Sequence, residues 1–112
     1  MVRIADCANT NHLFCVSVTT EDIRALTECR IGYRVTAENI RNVAILFDTL
    51  LEKGMISWNW KSAMANGGHL LSKKTGKPIS STTLSSALSE IKKRPTPVSK
   101  RIVDEIREIA MR

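Results

Sequence analysis

Five hydroxyl side chains, Thr82, Thr83, Ser85, Ser86 and Ser89, fall within eight residues and run directly into Lys92, Lys93 and Arg94. Small hydroxyls hydrogen-bond phosphate oxygens and base edges, and clustered cations attract a phosphate backbone by releasing its counterions. A second basic group, Lys73, Lys74 and Lys77, lies just upstream. Between Lys73 and Arg101 the chain carries eight Lys or Arg residues and a single acid, Glu90. Residues 57–112 hold eleven basic and four acidic side chains, against six and seven in residues 1–56, so the net charge of +6 is a local feature. A one-sided positive field makes nucleic acid the first partner to consider. A solvated face would carry charge as well, but such faces are usually built from Glu and Lys at i, i+4, which are better helix formers than Ser and Thr. Capping at a helix start accounts for hydroxyls up to Thr83 and leaves Ser85, Ser86 and Ser89 unexplained.

Other chemistries find less support. Cys7, Cys15 and Cys29 with His12 lack the paired C-x2-C spacing that nucleates a zinc site, so no metal and no other cofactor is expected, and the thiols read as small reduced hydrophobes. His69 follows Gly67-Gly68 without a companion nucleophile or acid. The stretch around Gly76-Lys77 has a superficial likeness to a phosphate loop, but Gly68 and Gly76 have the wrong spacing and Pro78 stands where a metal-binding Ser or Thr belongs. No nucleophile-base pair, paired carboxylates or metal set emerges, and the chain is expected not to be an enzyme.

The elements that must position these side chains are mostly helical. With 43% hydrophobic residues and only two Trp, two Phe and one Tyr, the core is built from Leu, Ile, Val and Ala. Ile40, Val43, Ala44, Phe47, Leu50 and Leu51 keep helical spacing and predict a central helix over about residues 37–53, capped by Thr36 and stopped at Lys53-Gly54. Thr19-Thr20-Glu21-Asp22 starts a shorter helix that ends near Gly32. Residues 55–65 predict a turn and short helix with Ser57 as cap; Trp58 and Trp60, two apart, cannot share one face, so one is expected in the core and the other partly exposed. Residues 70–80 read as a turn around Thr75-Gly76 between short extended pieces. Leu84, Ala87, Leu88 and Ile91 predict a helix over about residues 81–93. After Pro95-Thr96-Pro97, the stripe Val98, Ile102, Ile106, Ile109 and Ala110 predicts a last one. At the N-terminus, residues 12–18 alternate as a strand, with Val2 to Ala5 expected to pair with it as a small β-hairpin.

The expected fold is therefore mainly α: a compact bundle of four to five short helices with a helix-turn-helix-like C-terminal pair and a small N-terminal β-hairpin. One domain spans residues 1–112, with 1–35 forming the hairpin and a short helix and 36–112 the helical core. No apolar run approaches the roughly 20 residues of a membrane span and no secretion signal is visible, so no membrane partner and a cytoplasmic location are expected.

The stretch Leu46-Phe47-Asp48-Thr49-Leu50-Leu51-Glu52-Lys53-Gly54-Met55-Ile56, with Trp60-Lys61 and Gly76-Lys77-Pro78-Ile79-Ser80, resembles small regulatory proteins of Bacteroidetes mobile elements, broadly of the RteC type. The likeness covers about residues 40–95 and implies a helical, DNA-associated regulator without enzyme activity. Two readings result. One is a non-enzymatic double-stranded DNA-binding regulator, with Thr82, Thr83, Ser85, Ser86 and Ser89 near the groove and Lys73, Lys74, Lys77, Lys92, Lys93 and Arg94 on phosphates. The other is a helical protein-protein interaction module or accessory subunit, with a protein partner or as a homodimer, that uses an exposed Trp and the small-residue face.

Overall fold

The computed structural model describes residues 2–111. Its eight elements run in the order α1 (Val2–Thr10), α2 (Thr20–Thr27), β1 (Val35–Ala37), α3 (Ile40–Glu52), α4 (Trp60–Gly67), β2 (Leu70–Ser72), α5 (Ser81–Lys93) and α6 (Pro97–Ala110). The mainly α expectation holds, with six helices among the described residues. α3 is the pillar. Its Val43, Ala44, Leu46, Phe47 and Leu50 are fully buried, and both α5 and α6 lie against it. α4 packs on α5, and its Trp60 stacks at a tilt of 33° on Phe47, ring centroids 5.4 Å apart. That leaves Trp58 out in solvent, 83% exposed against 3% for Trp60, as the two-residue spacing requires. α6 opens with a capping box between Thr96 and Ser99 and with Pro97 in its first turn.

The N-terminal hairpin does not form. Val2 to Ala5 belong to α1, which buries Ile4, Ala5, Cys7 and Ala8 against α6 and α2. These four recur at i, i+1, i+3 and i+4, a short helical stripe that outweighs the β preference of Val2 and Ile4. The extended segment that follows contributes one antiparallel bridge, Phe14 to Ala37. Residues 2–35 are thus no separate layer, and one continuous core includes Ile4, Leu13, Phe47, Leu84 and Ile106.

A second correction concerns the start of the central helix. Thr36 does not cap it, because Val35–Ala37 pairs in parallel with Leu70–Ser72, in the register Val35 to Leu70 and Ala37 to Ser72. The helix begins three residues later, where the Asn39 side chain accepts from the Asn42 N–H at 3.1 Å. Parallel strands need a long crossover, and α3 with α4 provides it. Likewise Ser57 does not cap α4; its hydroxyl donates to the Asn59 side chain at 2.7 Å, and Asn59 precedes the helix. Beyond β2 the chain turns back at Gly76 (φ +69°), whose N–H donates to the Ser72 carbonyl oxygen, and Leu71 bridges Pro78 antiparallel, so Lys73, Lys74 and Lys77 stand on a tight hairpin loop.

Candidate nucleic-acid interface

α5 is built to show its hydroxyls. Ser80 caps it by accepting from the Thr83 N–H at 3.1 Å, and Leu84, Ala87, Leu88 and Ile91 anchor it on the core. At helical pitch Thr82, Thr83, Ser85, Ser86, Ser89, Glu90 and Lys93 occupy one arc of roughly 160° opposite that anchor, with Ser81 and Lys92 just beyond its margin. All seven are exposed. Thr83 shares a hydrogen bond with Ser80 at 2.9 Å, while Thr82, Ser85, Ser86 and Ser89 make no side-chain hydrogen bond among the described residues. Their donors and acceptors are free for another molecule.

The two basic groups flank α5, whose 13 residues span about 20 Å. Lys73 and Lys74 join Thr83 and Ser86 around an open cleft of about 760 Å³ between the N-terminal end of α3, the β2 loop and α5. Lys93 and Arg94 line an adjoining cleft at the C-terminal end. Arg41 and Glu90 belong to both clefts and form the ridge between them. Lys77, Thr82, Ser85 and Ser89 lie outside both and face open solvent.

The cations are not equivalent. Lys73 is paired with Glu38 at 2.5 Å and Lys92 with Asp48 at 2.9 Å. Lys74, Lys77, Lys93 and Arg94 are exposed and form no ion pair among the described residues. The hydrogen bond from Lys73 holds the Glu38 carboxyl below the usual carboxylate range, helped by the Cys15 thiol, which donates to its other oxygen at 3.1 Å. The same contact raises Lys73, and the Cys15 thiol is raised by its bond to Glu38. This pair therefore stays ionised and self-neutralised at neutral pH. Because α5 crosses α3, Arg41 of α3 meets Glu90 on one flank and Asp48 of α3 meets Lys92 on the other.

Sequence reasoning did not find Arg41. It is the sole cation in α3, two residues after Asn39, and only tertiary packing brings it 49 residues along the chain to Glu90. The thiols are dispersed: the Cys7 thiol is buried, which together with the hydrogen bond it donates to Glu105 pushes it up to about 12, whereas Cys15 is exposed and Cys29 half-buried. Among the described residues no three His, Cys, Asp or Glu side chains gather as a metal set, and no helix is long and apolar enough to cross a membrane. His69 is buried, with Nδ1 2.7 Å from the Tyr33 carbonyl oxygen. No protein family, curated protein or solved structure matches the chain.

Proposed function

We infer that the chain is a non-enzymatic nucleic-acid-binding protein that docks the solvent face of α5 against a double-stranded DNA groove. The carrying observation is the free hydroxyl arc of α5 with unpaired cations at each end, Lys74 and Lys77 on one side and Lys93 and Arg94 on the other. A major groove about 12 Å wide admits a helix, and cations flanking a helix about 20 Å long reach phosphates on both of its walls. Small side chains let the helix approach the base edges closely. The resemblance of residues 40–95 to RteC-type regulators of mobile elements agrees with a regulatory, DNA-associated role.

The test is a titration against random duplex DNA, single-stranded DNA and RNA at two salt concentrations. Four phosphate contacts give a slope of log K on log salt of roughly −3 to −4 for duplex DNA. The double variant Lys93→Ala/Arg94→Ala should weaken every duplex and reduce that slope by about 2. An unchanged slope would remove these residues from the interface. Trp58, 83% exposed in the turn between α3 and α4, favours the second reading, a protein-interaction surface. Light scattering on a size-exclusion column separates them: a strict monomer that binds duplex DNA counts against self-association.

A further inference from the structure

Glu90 is the one acid on the exposed arc of α5, and its carboxylate is held in an unusual way. Arg41 Nε donates to Glu90 Oε2 at 2.7 Å, and Arg41 Nη2 lies 2.6 Å from the same oxygen. The guanidinium fork thus converges on Oε2 and leaves Oε1 without a partner among the described residues. Two guanidinium nitrogens on one oxygen restrict where Oε2 sits more narrowly than a single-point Lys contact would. Both side chains are more than half exposed, so the pair adds little to stability. Its position is the informative part. It stands on the ridge between the two clefts, one turn from Ser86, on the face that the proposed function turns toward the groove.

A carboxylate on the flank of a polyanion-binding face is repelled by phosphate, so it is tolerated only where it meets a hydrogen-bond donor. In the major groove the donors are the exocyclic amino groups, and carboxylates pair with the N4 amino group of cytosine. We propose that Glu90 is a base-reading residue that accepts from a cytosine amino group through Oε1, with Arg41 as the positioning residue that aims it. This rests on the nucleic-acid reading above. Recognition at this position is direct readout, and the hydroxyls and cations around it supply approach and affinity.

The experiment is selection from a randomised duplex library, followed by competition titrations of single-position variants of the selected site with wild type, Glu90→Gln and Arg41→Lys. Wild type is expected to prefer cytosine at one position by roughly tenfold. Glu90→Gln exchanges the carboxylate for an amide suited to adenine N6 and N7, so the preference at that position moves from cytosine to adenine while random-duplex affinity rises. Arg41→Lys keeps the charge and the salt slope but loses the fork, so the cytosine preference falls without a general loss of affinity. Circular dichroism melting of each variant should match wild type, because both residues are surface groups.

A Glu90→Gln protein with the wild-type base profile overturns the assignment, as does a wild type that binds duplexes without base preference. A uniform affinity gain with no change of preference also overturns it, since that is the response of a merely repulsive charge. A wild type that shows no salt-dependent duplex binding overturns the proposed function itself, a result distinguishable from the other three.

Discussion

At the scale of single residues, formal charge is a poor guide to what the surface offers. Lys73 and Lys74 are neighbours in sequence and line the same cleft, yet Lys73 is spent on Glu38 and Lys74 is not. Lys92 and Lys93 differ in the same way, because Asp48 neutralises the first. A cation already paired within the protein releases little when a phosphate replaces its partner, since the freed carboxylate then faces the polyanion. Lys74→Ala is therefore expected to lower the salt slope by about 1, and Lys73→Ala by much less, at pH 7. The contrast depends on Glu38 being ionised, which its depressed pKa secures down to below the ordinary carboxylate range. Equal losses for the two variants would mean that the Lys73–Glu38 pair opens on binding. The readout is the slope across a salt series, which separates this from a change in folding.

At the scale of elements, α5 carries two demands on opposite sides. Its apolar side is ordinary core, and its solvent side is made of residues that favour a helix less than Ala, Lys or Glu do. Replacing Ser85, Ser86 and Ser89 together by Ala removes no internal hydrogen bond and improves helix propensity, for a gain on the order of 1 kcal/mol. If α5 is the DNA-reading face, the same triple variant binds duplex DNA more weakly, because its hydroxyl contacts are lost. Stability and affinity should thus move in opposite directions, measured by denaturant titration and by fluorescence anisotropy with a labelled duplex. Affinity unchanged in a more stable protein would return the hydroxyl face to plain solvent exposure. Elements also differ in how readily they were legible. α5 and α6 have long apolar stripes and local caps, Ser80 and Thr96, and the bounds expected for α5 match those observed. α1 has a stripe of one turn, no acid in its first turn and β-branched Val2 and Ile4, so local preference pointed to a strand. β1 is held by a partner 35 residues away, Val35 to Leu70, a non-local pairing that periodicity does not encode. For the same reason the hydroxyls and lysines of the candidate interface were visible in sequence, whereas Arg41 was not.

At the scale of the whole molecule, the candidate interface depends on packing far from it. α5 and α6 are joined by only Arg94 to Thr96 and rest chiefly on α3, and α6 in turn receives α1 on its other side. Ile4, fully buried in α1, belongs to the same core cluster as Leu84 and Ile106. Cutting Ile4 back to Ala leaves a cavity that a surrounding set of helices cannot close, at a cost of about 2–5 kcal/mol. Because the core is continuous, that cost should appear as a shift of one cooperative transition rather than as early loss of the N-terminal helix alone. Two probes test it: far-UV circular dichroism reports all six helices, and tryptophan fluorescence, with Trp60 stacked on Phe47, reports the packing of α4 on α3. Coincident transitions, both moved to lower denaturant in Ile4→Ala, are expected. A dichroism change that precedes an unmoved fluorescence transition would mean that residues 1–35 fold as a separate unit. In that event they would be free to act apart from the interface that α5 presents, whereas a shared transition ties any loss at α1 directly to the surface on which Lys93, Arg94 and the hydroxyl arc are held.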